Sequence, residues 1–179
     1  MTKSDELAFD KSMAESLRTR VGESLEGVAE GRGLRVALAC SRFNGAVTLR
    51  LLDSALTTLS DAGVERGDVA IGWTPGAFEL PLLAQAFATG PRRFDVVITL
   101  GAVIRGDTGH YEVVAGECAR GAQSVQLATG VPIIFGVLTT NTTAQALERS
   151  RPDETNKGRE SALAALEMVS LLRQGPLAR

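Results

Sequence analysis

The chain has few of the residue types that mark several protein classes. It contains one histidine and two cysteines in 179 residues, and its formal charge is only −2. A small net charge without basic blocks gives no electrostatic footprint for nucleic acid. No apolar run approaches the roughly 18 residues of a membrane span, and acidic residues stand where a signal peptide would be basic and then apolar. We therefore expect a cytoplasmic protein that binds neither nucleic acid nor membrane.

The two cysteines, Cys40 and Cys118, lie far apart in apolar contexts and lack metal-ligand spacing. This pattern favours buried free thiols in a reducing compartment over a disulfide or a metal site. The hydrophobic content of 44% and the charged content of 22% are those of a globular protein. The length predicts one domain with a substantial core.

Residues 1–33 differ from the rest of the chain. Their seven acidic and five basic side chains account for the whole formal charge, and Met13, Leu17 and Val21 form only a faint helical stripe. Four glycines between residues 22 and 33 argue against a long helix. We expect a partly disordered arm with a short helix, or an arm that docks on a neighbouring subunit, and a fold that begins at residue 34.

Apolar runs alternate with helical stripes over residues 34–179. The candidate strands are nearly continuous in apolar residues and cover residues 34–39, 68–73, 94–100 and 131–138. The candidate helices follow them near residues 52–62, 80–87, 111–125, 141–149 and 162–172. Apolar strands separated by helices are typical of a parallel sheet covered on both faces. The pattern predicts an α/β fold, a three-layer α/β/α sandwich with a mainly four-stranded parallel sheet.

Residues 99–111 join the third candidate strand to a helix and carry the only histidine, His110. Glycines at positions 101, 106 and 109 would let the backbone approach an anion, and the next helix directs its positive end to the same place. One interpretation is an active-site loop. The other is an ordinary connection, because a lone imidazole brings no set of catalytic partners with it.

The carboxyl ends of the strands gather further polar and aromatic residues. Ligand sites of open parallel sheets lie beyond these ends, which here carry Phe43, Glu79, the His110 loop and a threonine-rich turn. Together they suit a planar, polyhydroxylated ligand with an anionic group. Each has an ordinary alternative: Phe43 as a cap on the core, Glu79 as a favourable helix-start charge, and the threonines as turn residues.

Five short motifs stand in order along this framework. They are Ser-Arg-Phe-Asn at 41–44, Pro-Gly-Ala-Phe-Glu-Leu-Pro at 75–81, Gly-Ala-Val-Ile-Arg-Gly-Asp-Thr-Gly-His-Tyr at 101–111, Phe-Gly-Val-Leu-Thr-Thr at 135–140 and Asn-Lys-Gly at 156–158. In this order and spacing they resemble the 6,7-dimethyl-8-ribityllumazine synthase family. The resemblance extends from about residue 34 to the final helix, so residues 1–33 lie outside it. It implies a flavodoxin-like layout.

The resemblance implies a transferase of riboflavin biosynthesis that uses neither metal nor organic cofactor. Its members condense 5-amino-6-ribitylaminouracil with 3,4-dihydroxy-2-butanone 4-phosphate, releasing phosphate and water in the penultimate step of the pathway. It assigns the pyrimidine and ribityl contacts within one chain to Phe43, Asn44, Ala77, Phe78, Glu79, Ala102, Val103 and Ile104. Phe43 would stack on the ring, and Glu79 would hold the ribityl chain.

The resemblance also places phosphate and proton transfer. Backbone N–H groups of Asp107 and Thr108 would meet the phosphate together with Arg149, and His110 would transfer protons. Arg105, which looks most like a phosphate ligand, receives no catalytic role.

Family members assemble as homo-oligomers in which Phe135, Arg149 and Lys157 serve the neighbouring subunit's site. The basic unit is a pentamer, and in many members twelve pentamers form a 60-subunit icosahedral shell. The length of the 150–155 segment favours the shell, whereas its lack of glycine counts against it. Asp153 stands where some members carry a basic residue, which removes one added phosphate contact.

Two other functions fit parts of the pattern. One is a non-catalytic lumazine- or flavin-binding relative on the same scaffold, against which His110, Arg149 and Glu79 argue. The other is a phosphate-sensing or signalling domain of flavodoxin-like layout. That domain would carry clustered acidic residues at the strand ends, where this chain has Phe43, Glu79 and His110.

Overall fold

The computed structural model describes residues 9–174 and residue 177. Its strands are β1 (Val36–Ser41), β2 (Val69–Thr74), β3 (Val96–Ile104) and β4 (Ile133–Thr140). Its helices are α1 (Lys11–Arg18), α2 (Gly45–Asp61), α3 (Leu80–Thr89), α4 (His110–Thr129), α5 (Thr143–Arg149) and α6 (Lys157–Leu172). Strands and helices alternate as predicted from residue 36 onward.

The four strands form one parallel sheet in the order β2-β1-β3-β4. This order corresponds to the first four strands of the flavodoxin-like arrangement. Each strand begins one or two residues later than predicted, because apolar residues that precede the ladder, such as Leu34 and Phe94, are buried in the core without pairing. Apolar character therefore marks burial more closely than it marks strand ends.

Side chains that alternate along the strands build one core on each face of the sheet. Leu38 and Ile98 belong to the core covered by α2, α5 and α6. Ala37 and Val97 belong to the core covered by α3 and α4. The three-layer α/β/α sandwich is confirmed.

Cys40 and Cys118 are buried free thiols, as predicted, and lie in the two opposite cores. Burial raises the pKa of the Cys40 thiol to about 12. Burial, with the nearby Glu79 carboxylate, raises the pKa of the Cys118 thiol to about 11. Both thiols are therefore held in the protonated, unreactive form.

Glycine and proline end or start the helices where expected. Gly63 and Gly130 follow α2 and α4 with φ of 90° and 71°, left-handed values that side chains other than glycine rarely adopt. Pro81 occupies the first turn of α3, where its missing N–H costs no hydrogen bond. Gly63 and Gly130 therefore define where α2 and α4 end, and Pro81 is compatible with the start of α3.

Part of the predicted arm is described. The α1 helix, capped by Asp10, buries none of its residues. After it the chain reaches the body of the protein, where the Gly31 N–H donates to the Ala62 carbonyl at 2.8 Å and the Val28 N–H donates to the Ser170 hydroxyl at 3.2 Å. Residues 1–8 of the arm lie outside the described residues. Among the residues described, no helix combines the length and apolarity needed to cross a bilayer.

Candidate active site

A cleft of about 690 Å³ opens at the carboxyl edge of the sheet. Its walls come from the loops after β1 and β2, from the end of β3 with the loop that follows it, and from the first turn of α4. The predicted site residues that line it are Phe43, Asn44, Ala77, Phe78, Glu79, Ala102, Val103, Ile104, Thr108 and His110. The structure thus brings most of the predicted site together within one chain.

Phe43 is presented to the cleft by the loop that follows β1. The Arg42 and Phe43 N–H groups donate to the Thr74 and Pro75 carbonyls at 2.9 and 3.1 Å, which fastens this loop to the end of β2. The Phe43 side chain is 70% exposed, so it does not cap the core. A fixed, exposed aromatic ring at a cleft is suited to stacking on a planar ligand.

Asn44 links the same loop to β3. Its backbone is left-handed, with φ of 56° and ψ of 35°, immediately before α2. Its Nδ2 donates a hydrogen bond to the Ala102 carbonyl at 2.9 Å. Asparagine tolerates this backbone conformation better than most residues. The bond holds the Phe43 loop against the carboxyl end of β3, which is predicted to contact the pyrimidine.

Glu79 stands at the N-terminus of α3, on the side of the cleft formed by the loop after β2. Its Oε2 accepts a hydrogen bond from the Gly76 N–H at 3.1 Å, and the Thr74 hydroxyl donates to the Gly76 carbonyl at 2.7 Å. These contacts fold the turn around one carboxylate oxygen. The side chain is exposed, so its carboxylate can also accept hydrogen bonds from ligand hydroxyls.

His110 is the first residue of α4 and is exposed at the cleft. The Gly109 N-cap provides no side-chain hydrogen bond to the first turn of the helix. Asp107 lies in the exposed loop before it, between the cleft-lining residues Gly106 and Thr108. The imidazole and a helix N-terminus that has no N-cap side-chain hydrogen bond therefore meet at one end of the cleft.

The prediction that the loop begins at Gly101 is wrong. Gly101 lies inside β3, opposite Val137 of β4, and the strand continues to Ile104. A Cβ at Gly101 would stand 2.6 Å from the Ser41 Oγ, so glycine here permits close packing of side chains from β1. Only Gly106 and Gly109 of the three glycines belong to the loop.

Three predicted site residues, Phe135, Arg149 and Lys157, lie in a second cleft of about 370 Å³. This cleft lies between β4 and α6, and Glu160 also lines it. The Lys157 Nζ pairs with the Glu160 carboxylate at 2.6 Å, and an Arg149 guanidinium nitrogen lies 3.4 Å from the Gln145 carbonyl oxygen. Within one chain these residues do not line the cleft that contains His110.

The turn between α5 and α6 has its own internal support. The buried Asn156 caps α6 by accepting from the Gly158 N–H at 2.8 Å, and its Nδ2 donates to the Arg151 carbonyl at 2.7 Å. Hydrogen bonds from the Thr155 hydroxyl and N–H lower the pKa of the Asp153 carboxyl. Asp153 therefore stabilises the turn as an anion.

Several lining residues were not predicted as site residues. They are Pro75, Gly76, Gly106, Tyr111, Val113 and Val114. Val113 is 54% exposed in the first turn of α4, next to Tyr111 and Val114, which pack on the core. In the sequence, Val113 is an apolar residue outside the stripe of core-facing positions that includes Tyr111 and Val114. This was the signal that the first turn of α4 faces a ligand or a partner.

An open parallel sheet with a ligand-sized cleft beyond its strand ends defines an α/β protein that binds a small molecule at that edge. The family model for 6,7-dimethyl-8-ribityllumazine synthase matches residues 33–173, most of the chain. The chain belongs to this family of transferase enzymes, whose function lies in riboflavin biosynthesis.

Proposed function

We propose that this protein condenses 5-amino-6-ribitylaminouracil with 3,4-dihydroxy-2-butanone 4-phosphate to give 6,7-dimethyl-8-ribityllumazine, releasing phosphate and water. The observation that carries the proposal is the placement of Phe43, Glu79 and His110 on the walls of one cleft. A stacking ring, a carboxylate for ribityl hydroxyls and a proton-transfer group are what these two substrates need. Membership of the family supports the same reaction.

The pyrimidine is assigned to the side of the cleft between Phe43 and β3. Phe43 stacks on the ring, and Asn44 with the backbone of Ala102, Val103 and Ile104 provides hydrogen-bonding groups for its edge. The Glu79 carboxylate and the backbone at Ala77 and Phe78 hold the ribityl chain. This arrangement would fix the nucleophilic amine in one orientation, a source of rate acceleration because it removes rotational freedom before reaction.

The phosphate-bearing substrate is assigned to the opposite end of the cleft. Backbone N–H groups of Asp107 and Thr108 and the N-terminus of α4 favour an anion there. His110, at the first position of α4, takes and returns protons during imine formation and β-elimination of phosphate. Imidazole suits both steps because one ring nitrogen can accept a proton while the other donates one. The proposed chemistry requires neither metal nor organic cofactor.

The complete site is assigned to two subunits of a homo-oligomer. Arg149, the proposed side-chain phosphate ligand, lies with Phe135 and Lys157 in the second cleft of its own chain. A neighbouring subunit that presents this second cleft to the His110 cleft would supply the missing cation. We propose pentamers that share sites in this way and associate into a 60-subunit shell.

The reaction is tested by incubating the purified protein with both substrates and following lumazine fluorescence and released phosphate over many turnovers. The proposal predicts the two products in equal amounts. Binding of the lumazine without any turnover would instead identify a non-catalytic relative.

Shared sites are tested by mixing two variants of strongly reduced activity, His110→Ala and Arg149→Ala, after dissociating and reassembling them together. Mixed oligomers should regain part of the activity, because some interfaces then pair an intact His110 with an intact Arg149. Absence of recovery in verified mixed oligomers would contradict a site built from two chains. Sedimentation separates a pentamer from the 60-subunit shell.

A further inference from the structure

Arg105 is anchored where β3 ends and the His110 loop begins. Its N–H donates to the Thr140 carbonyl at 2.9 Å, extending the contact with β4. Its guanidinium lies over the Tyr111 ring, 4.1 Å from the ring centre. The Nε donates to the Asn141 side-chain oxygen at 3.0 Å, and one terminal nitrogen pairs with Glu112. This side chain therefore contacts the turn after β4 and the first turn of α4 at once.

These contacts bridge the ends of the loop that carries the proposed phosphate and proton-transfer groups. The loop runs from Gly106 to Gly109, and neither glycine has any atom within 4 Å of the position that a Cβ would occupy. Glycine in open space leaves the backbone free to sample many conformations. The Arg105 side chain offsets this freedom because it ties the strand side of the loop to Tyr111 and Glu112 on the helix side.

The same contacts alter the charge beside the loop. Glu112 lies in the first turn of α4, where its carboxylate would repel an incoming phosphate. The hydrogen bond from Arg105 lowers the pKa of the Glu112 carboxyl, so it favours the carboxylate form. The positive charge of the paired guanidinium offsets part of the carboxylate's negative charge. Because Asn141, Tyr111 and Glu112 already engage the guanidinium, Arg105 is suited to organising the loop and less suited to binding phosphate itself.

We propose that Arg105 is a positioning residue for the condensation: it holds the Gly106–Gly109 loop and His110 in the arrangement that binds and activates the phosphate-bearing substrate. This inference rests on the proposed function. It assigns to Arg105 an effect on one substrate only, since the pyrimidine binds at the opposite side of the cleft, against Phe43 and β3.

The test measures kcat and the KM of each substrate for wild type, Arg105→Ala, Arg105→Lys and Asn141→Ala. Arg120→Ala is the matched control, because Arg120 forms an exposed pair with Glu117 on the same helix, at 3.3 Å, away from the loop. Misplacing reacting groups by about 1 Å costs on the order of 100-fold. We therefore expect Arg105→Ala to lower kcat/KM for the phosphate-bearing substrate by roughly 10- to 100-fold.

The other variants separate positioning from direct phosphate binding. Arg105→Lys should recover only part of the loss, because an ammonium keeps the charge but lacks the planar stack and the Nε contact. Asn141→Ala keeps Arg105 but removes one of its supports, so it should raise the KM of the phosphate-bearing substrate and add little to Arg105→Ala in the double variant. If Arg105 instead bound the phosphate directly, Asn141→Ala would have the same KM for the phosphate-bearing substrate as wild type. Direct binding of inorganic phosphate, measured without the two substrates, reports on the same loop in the absence of turnover and should be weaker in Arg105→Ala than in wild type.

Wild-type turnover is measured first, so that failure of the proposed reaction is recognised before the variants are compared. If the wild type is active and the kcat/KM of Arg105→Ala for the phosphate-bearing substrate lies within about twofold of the wild-type value, the positioning role is overturned. Equal rises in the KM of both substrates, or the same loss in Arg120→Ala, would also overturn it. Wild-type kinetics in Asn141→Ala would likewise overturn the positioning role of Arg105.

Discussion

The Asn44 Nδ2 lies 2.9 Å from the Ala102 carbonyl oxygen and donates a hydrogen bond to it from a residue with left-handed backbone. This contact joins two parts of the proposed pyrimidine site that are 58 residues apart in the sequence. It also occupies one acceptor position of a carbonyl on the strand edge. Asn44 thereby shapes the cleft whether or not it also contacts the ligand.

Replacing Asn44 should show both contributions. Asn44→Ala loses the hydrogen bond and also pays for a left-handed backbone, so we expect the free energy of unfolding to fall by about 2–3 kcal/mol. Asn44→Gly loses only the bond and should cost about 1 kcal/mol. Denaturant unfolding measures both variants. An alanine variant as stable as the glycine variant would contradict a backbone contribution at this position.

Replacing Phe43 should impair binding and leave the fold intact. Its side chain is 70% exposed, so Phe43→Ala should change the free energy of unfolding by less than about 0.5 kcal/mol. Loss of stacking on the pyrimidine, worth about 1–3 kcal/mol, should raise the KM of that substrate by roughly 5- to 150-fold. Steady-state kinetics with each substrate varied in turn measures this effect.

Phe9→Ala is the matched control for Phe43→Ala, because Phe9 is 73% exposed and lies outside the family match. It should leave both KM values unchanged. If the two alanine variants behave alike, Phe43 does not stack on the substrate.

The two thiols should be unreactive in the folded protein. The thiolate is the form that attacks thiol reagents, and the pKa values of about 12 for Cys40 and about 11 for Cys118 leave little thiolate at pH 8. Both should label fully in denaturant, where the ordinary pKa returns. Rapid labelling of either thiol in the native protein at pH 8 would contradict its burial in the core.

The same shifts predict a loss of stability in alkali. The folded state favours the neutral thiols, so their stabilising effect is complete below the ordinary pKa of 9.0 and disappears as the pH rises through the raised values. Unfolding experiments between pH 9 and 12 should show a smaller pH dependence for Cys40→Ala than for wild type. An equal dependence would exclude a contribution from Cys40.

The sandwich was predictable from sequence because every strand of a covered parallel sheet is apolar along its length, and the cleft at its carboxyl edge follows from the parallel order of the strands. Gly101 was misassigned to a loop because the sequence alone does not distinguish a glycine needed for backbone freedom from one needed for close packing against Ser41. The separation of Phe135, Arg149 and Lys157 from His110 within one chain depends on which side of β4 each element packs. It was therefore expected only from the family resemblance, because no local pattern encodes that packing.

Arg105 shows the same limit at the level of one side chain. An arginine before a glycine-rich loop suggests a phosphate ligand, and only the fold brings Asn141 to its Nε. Tyr111 and Glu112 are close in sequence, yet their contacts with Arg105 require the loop to turn back on itself. Short motifs therefore indicate which residues share a cleft more reliably than they indicate the role of each residue.

The most direct test compares lumazine formation by wild type and His110→Ala with both substrates saturating. Proton transfer by a positioned group contributes about 10²- to 10⁴-fold, whereas the remaining cleft still holds the substrates together. We predict multiple turnovers by wild type and a slow but measurable rate, lower by that factor, for the variant. An unchanged rate in His110→Ala would contradict the mechanism, and no lumazine from wild type would contradict the proposed reaction itself.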